Sequence, residues 1–139
     1  MRCLVTNERF ELRLPLKSHY ASVLMATVGA IAGTNSFPYD EIVQLRVAVS
    51  EVLTLMMKHM PLANGLLQAT DPTDDRLVVS FATEPDRIEI LMTCPADYPR
   101  RWDTEEWRES EALLGSLMDE VEYGIEGTGE TVVRMVKRK

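Results

Sequence analysis

Apolar positions recur along this chain with two different periods. From Phe37 to Met60, FPYDEIVQLRVAVSEVLTLMMKHM, the steps are three and four residues, which sets Ile42, Leu45, Val49, Val52, Met56 and Met60 on one helical face. Pro38 and Asp40 supply a start signal and Pro61 a stop, so the pattern predicts a single helix. At the rise of an α-helix it is roughly 30 Å long, enough to cross a small domain. Val43, Val47, Leu53 and Leu55 lie off the main stripe, which predicts burial on more than one side. Gln44, Ala48, Glu51, Leu55 and His59 form a second stripe. Glu51 stands there as a carboxylate among Val, Leu and Met, and is the first candidate for a chemical site.

The second period is two. Arg9 to Leu16 alternates Phe10, Leu12, Leu14 and Leu16 with Glu11, Arg13 and Pro15, a half-buried strand with an end or edge marked by Pro15. Ser18 is a suitable N-cap for a helix carrying Tyr20, Val23, Leu24, Val28 and Ile31, with Gly33 as its stop. Ala21, Ala26, Gly29, Ala30 and Ala32 are small and allow close approach of another element. Pro61 to Asp75 holds Asn-Gly and Asp-Pro and reads as a loop. Arg76 to Thr83 and Arg87 to Thr93 form a hairpin across Glu84-Pro85-Asp86. Pro95 to Asp103 is irregular, and Thr104 to Asp119 is helical in two pieces. Glu120 to Ile125 and Glu130 to Lys137 close the chain as a second hairpin. Hairpins alternating with helices predict an α+β domain, one sheet covered on one face by helices.

Composition narrows the class. At 139 residues and 45% hydrophobic, the chain suits one domain with its own core. It has no apolar run long enough to span a membrane, and MRCLVTNERF lacks a signal-peptide core. Cys3 and Cys94 are then expected as reduced thiols in a cytoplasmic protein. A net charge of −7 argues against direct nucleic-acid binding. It suits solubility alone, with a basic protein partner drawn in by electrostatic steering as the other reading. Two separated cysteines and two histidines make no metal site.

The segment Ala48-Val49-Ser50-Glu51-Val52-Leu53-Thr54, followed by Lys58-His59, resembles the N-box helix of the anti-sigma factor serine kinases, the SpoIIAB/RsbW group of the GHKL ATPases. Ser50, Glu51, Thr54 and His59 keep that family's pattern. Leu117-Met118-Asp119-Glu120-Val121, then Gly127-Thr128 and Thr131 to Met135, resembles its closing segment. The resemblance covers nearly the whole chain. It implies one histidine-kinase-like ATPase domain over residues 1–139, a two-layer α/β sandwich of the GHKL (Bergerat) type. Its sheet is expected to be mixed, mostly antiparallel, and covered on one face by helices.

By the same resemblance, Glu51 is the position of the general base that activates a substrate serine. Where the family has an Asn that ligates Mg²⁺, this chain has Leu55, which has no lone pair to offer a hard cation. In place of the Asp-x-Gly-x-Gly turn stands Thr93 to Tyr98, with Asp97 a few residues late and no glycine. In place of the phosphate-cradling Gly-x-Gly stands Arg108-Glu109-Ser110, and Gly115 lies within the helix. Glu51, Leu55, His59, Asp97 and Ser110 are thus the degenerate equivalents of ATP-contacting positions. No cofactor is expected, or Mg-ATP if the family's activity survives.

A non-catalytic reading keeps Glu51 as a polar residue beside a shallow cleft, paired with Arg46 or Lys58, and His59 as a helix-end residue. The resemblance implies an anti-sigma factor that sequesters a sigma factor and is released by an anti-anti-sigma antagonist. It further implies a homodimer and a partner surface near the first helix, with His19, Tyr20 and Met25 as contacts. Tyr20 and Met25 are either anchors there or core residues. Two alternatives stand beside it: an active ATP-dependent serine-protein kinase in which Asp97 and Asp103 replace the lost groups, and a degenerate scaffold for another regulator.

Overall fold

The two periods resolve into two layers. The computed structural model describes residues 8–15, 17–58, 77–94, 105–125 and 130–139. In chain order these form β1 (Glu8–Leu14), a 3-10 turn (Ser18–Tyr20), α1 (Ala21–Thr34), α2 (Tyr39–Lys58), β2 (Leu77–Glu84), β3 (Arg87–Cys94), α3 (Glu105–Leu117), β4 (Glu120–Ile125) and β5 (Thr131–Arg138). The strands make one sheet of order β1-β2-β3-β5-β4. Every described pairing is antiparallel.

Register explains why one face is core. Phe10, Phe81, Ile90, Met135 and Val121 lie in one cross-strand row, and Leu12, Val79, Met92, Val133 and Tyr123 in the next. Side chains alternate across a strand, so all of these point to one side. Leu77, Val79, Phe81, Ile88, Ile90, Met92, Val133 and Met135 are buried there in one cluster with Leu24, Leu45, Val49, Val52, Trp107 and Leu114 of the helices. Cys94 ends that face as a buried cysteine, whereas Cys3 lies outside the described residues.

The opposite face mixes charged residues with Val78, Leu91, Val132 and Val136, and its charges are paired across strands. Arg134 of β5 reaches Glu89 of β3, Glu120 (3.2 Å) and Glu122 (3.4 Å) of β4. Arg138 meets Glu120 at 2.5 Å. The Arg138 and Arg134 guanidinium groups hold the Glu120 carboxyl below its ordinary range, and Glu89 in turn raises Arg134. On the core face, Lys137 donates to Gln44 Oε1 of α2 (2.6 Å) and to the Leu117 carbonyl at the end of α3 (2.7 Å). One ammonium thus joins β5 to both helices and answers a C-terminal carbonyl left open by the helix.

Element ends differ from the pattern in three places. Ser18 lies in the 3-10 turn, so the N-cap of α1 falls on Tyr20, without a side-chain cap. Glu105–Leu117 is a single helix rather than two pieces, because Trp107, Ser110 and Leu114 keep one buried stripe without a break. Gly33 does not stop α1, which continues to Thr34. The stop is instead a Schellman motif: Phe37 N–H bonds to the Ala32 carbonyl and Ser36 N–H to the Gly33 carbonyl, both at 3.1 Å. Ser36 takes the left-handed position at φ 66°, and Phe37 is buried just beyond it.

That motif favours glycine where Ser36 stands, since a Cβ is penalised at positive φ. Ser36→Gly is expected to stabilise the protein by about 1 kcal/mol. Urea denaturation followed by far-UV circular dichroism checks it; unchanged or lower stability contradicts the assignment.

Candidate functional site

Three faces of α2 are buried and one is not. Leu45, Val49, Val52 and Met56 are buried on the main stripe, and Ala48 and Leu55 on the second; Leu53 is buried as well. The expected burial off the stripe therefore holds for Leu53 and Leu55 but not for Val43 and Val47, which are 39% and 43% exposed. These two valines fail to be covered because α1 covers only part of the flank. The Arg46 stem passes over Gly29 of α1, where a Cβ would meet Arg46 Cδ at 3.7 Å, and Ile42 approaches Gly33. The small residues of α1 thus permit close approach at Gly29, Gly33 and the buried Ala32, while Ala26 and Ala30 face outward.

Between the two helices lies a groove of about 360 Å³ lined by Met25, Val43, Arg46, Val47, Ser50 and Glu51. Helical spacing brings Val43, Val47 and Glu51 into line at four-residue steps. Glu51 closes the groove at its far end and touches a third element there. The Ser110 hydroxyl of α3 donates to Glu51 Oε2 at 2.5 Å. Ser110 is 5% exposed, between Trp107 at 2% and Leu114 at 0% on the inward face of α3. Trp107 stacks edge-on against Tyr123 of β4, ring centroids 4.6 Å apart, which anchors the start of α3 to the sheet.

Of the residues singled out in the sequence, Glu51, Ser110 and Met25 come together. The described partner of Glu51 is Ser110 rather than Arg46; the side chain of Lys58 lies outside the described residues, as do His59, Asp97 and Asp103. Leu55 is only 7% exposed and belongs to the core cluster. Tyr20 and Met25 are partly buried and pack against the core, with Met25 also lining the groove. His19 is exposed and lies against the Tyr20 ring, centroids 4.2 Å apart, away from the groove. Val43, Arg46, Val47 and Ser50 were not anticipated as site residues. The signal for Val43 and Val47 was their position off the main apolar stripe, which is compatible with either burial or an apolar edge.

Of the positions that the resemblance assigns to ATP contact, Glu51, Leu55 and Ser110 lie among the described residues. Leu55 presents alkyl to its surroundings and is committed to the core, and one oxygen of Glu51 is engaged by Ser110. Gly115 sits mid-helix with nothing within 4 Å of a built Cβ, so it makes no close backbone cradle.

No protein-family model matches the chain. It is similar to proteins named serine-protein kinase RsbW. The Bacillus pumilus protein is 27% identical over 151 aligned positions, which cover 95% of this chain and 86% of that protein. The Halalkalibacterium halodurans protein is 30% identical over 103 positions, 74% of this chain and 56% of that one. A Bacillus cereus protein is 26% identical over 85 positions, so the match spans about half (48%) of its length. Among solved structures, the RsbU and RsbW domains of a Mycobacterium tuberculosis protein superpose with a TM-score of 0.68 at 14% identity. That match covers 94% of this chain and 32% of the other, and at this identity the likeness is one of fold.

Leu55→Asn restores the side-chain type of the resembled motif but puts an amide into the core. It is expected to destabilise by about 3 kcal/mol without conferring Mg-ATP binding. Denaturant unfolding and titration calorimetry of the variant check both parts.

Proposed function

We propose that this chain, which is similar to proteins named serine-protein kinase RsbW, is a partner-switching regulator that sequesters a sigma factor by protein–protein contact, with little or no use of ATP. An anti-anti-sigma antagonist releases the sigma factor. The observation that carries this reading is the α1–α2 edge, where Val43 and Val47 are exposed and line a groove together with Met25. α1 itself carries no charged residue. Exposed apolar side chains lining a groove favour a protein partner over bulk solvent. The buried Leu55 and the engaged Glu51 support independence from nucleotide. His19 and Tyr20, in the 3-10 turn that leads into α1, are further proposed partner contacts outside the groove.

The open sheet face supports a homodimer as a second element of the proposal. It places Arg9, Glu11, Glu89 and Arg134 of opposite sign around Ser80, Ala82 and Leu91. A two-fold contact needs a self-complementary surface, and alternating charge around an apolar centre supplies one. Among the described residues no helix is long and apolar enough to cross a membrane, and we place the regulator in the cytoplasm.

A second reading, an ATP-dependent serine-protein kinase, is favoured by the names of the relatives and by the retention of Glu51 at the groove. Titration with Mg-ATP separates the two. No saturable heat is expected, and clear one-site binding would move the assignment to the kinase.

For the sigma-binding surface, Val47→Asp is expected to weaken capture of the sigma factor from the native cells at least ten-fold. The melting temperature should stay close to that of the wild type, because Val47 is exposed. Met25→Asp should weaken capture and stability together, since Met25 also packs on the core. Undiminished sigma capture by Val47→Asp would remove the groove from the interface.

A further inference from the structure

Glu51 faces two elements at once. Its side chain is a wall of the α1–α2 groove, and one of its oxygens accepts the Ser110 hydroxyl of α3 at 2.5 Å. This side-chain hydrogen bond joins α2 directly to α3. The serine is 5% exposed, so water competes poorly for its hydroxyl. Hydrogen bonds to an ionised carboxylate are shorter and about twice as strong as neutral ones. Removing one partner leaves the other buried polar group unsatisfied, which costs more than the bond itself contributes.

The rest of the attachment of α3 is apolar or lies at its ends. Trp107 and Leu114 are buried on the same face, and the Leu117 carbonyl receives Lys137 at the C-terminus. Neither of those contacts reaches the groove. The central turn of α3 is therefore tied to the groove wall through one carboxylate.

We propose that Ser110 is a latch. Its hydroxyl occupies Glu51 from inside the protein and holds α3 against α2. A hydrogen-bond donor entering the groove on a partner's apolar segment pairs with the same carboxylate, draws it toward the groove and away from Ser110, and loosens α3. Docking at α1–α2 and the position of α3 are coupled in this way, with Glu51 as a positioning residue between them. The coupling goes beyond the sigma-factor assignment, since it is a property of the isolated protein and can be measured without a partner.

Hydrogen exchange followed by mass spectrometry on the full chain tests it. In Ser110→Ala, peptides covering residues 105–117 are expected to exchange about ten-fold faster, with β3 and β5 at wild-type rates. Glu51→Gln, which keeps the size and a neutral acceptor, should lie between the two. Val47→Lys supplies a donor on the groove side, one helical turn from Glu51, and serves as the competing probe. It should speed exchange in α3 of the wild type and add nothing in the Ser110→Ala background, a non-additive pair. The latch is overturned if α3 exchange is unchanged in Ser110→Ala, or if the strands accelerate in step with α3. Equal effects of Val47→Lys in both backgrounds would overturn the coupling.

Discussion

Burying Leu45, Ala48, Val49, Val52, Leu53, Leu55 and Met56 leaves α2 a single edge, Val43–Arg46–Val47–Ser50, for anything outside the core. A helix apolar around so much of its girth must be covered from several directions. The antiparallel sheet, α1 and α3 share that work in one cluster. The close approach of α1 at Gly29 and Gly33, the stripe of Trp107, Ser110 and Leu114 on α3, and the Lys137 bridge all follow from it. Loosening any one of them exposes part of α2, so the helix layer is mechanically a unit around a central rod.

The site sits on the boundary of that burial. Glu51 is half-buried on the shoulder between the core stripe and the open edge. A carboxylate in such a place needs a partner, because its desolvation is otherwise uncompensated. Ser110 provides it from α3, and the groove provides access from the other side. Four residues on, Leu55 lies inside the core and completes it. The same helix therefore changes from accessible chemistry to packing within about one turn.

The sheet separates its two duties by face. Core-facing rows are held by apolar contact, and the outer rows by Arg134 and Arg138 among Glu89, Glu120 and Glu122. Ion pairs this exposed add little to stability individually. They do maintain a surface with both signs of charge in a chain of net charge −7. That leaves local patches on which a second molecule can register, on the opposite face from the α1–α2 edge.

Period alone was enough to determine the order of elements, the two hairpins and the sheet-plus-helix class, because strands and helices bury residues at steps of two and of three to four. The core stripe of α2 and the unusual position of Glu51 were legible for the same reason. Tertiary structure decided what the pattern left open. Val43 and Leu55 are both off-stripe apolar residues, yet one is exposed and the other is in the core, depending only on where α1 and α3 happen to lie. Gly33 carries a stop signal in isolation, but Phe37 found burial three residues past the end of α1 and moved the turn to Ser36. Arg46 and Ser110 were equally available to Glu51 by chemistry. The choice fell to the serine because α3, 59 positions away in the chain, packs its inward face there. Local sequence sets which residues can bury or bond; which of them meet is settled by the packing of elements distant in the chain.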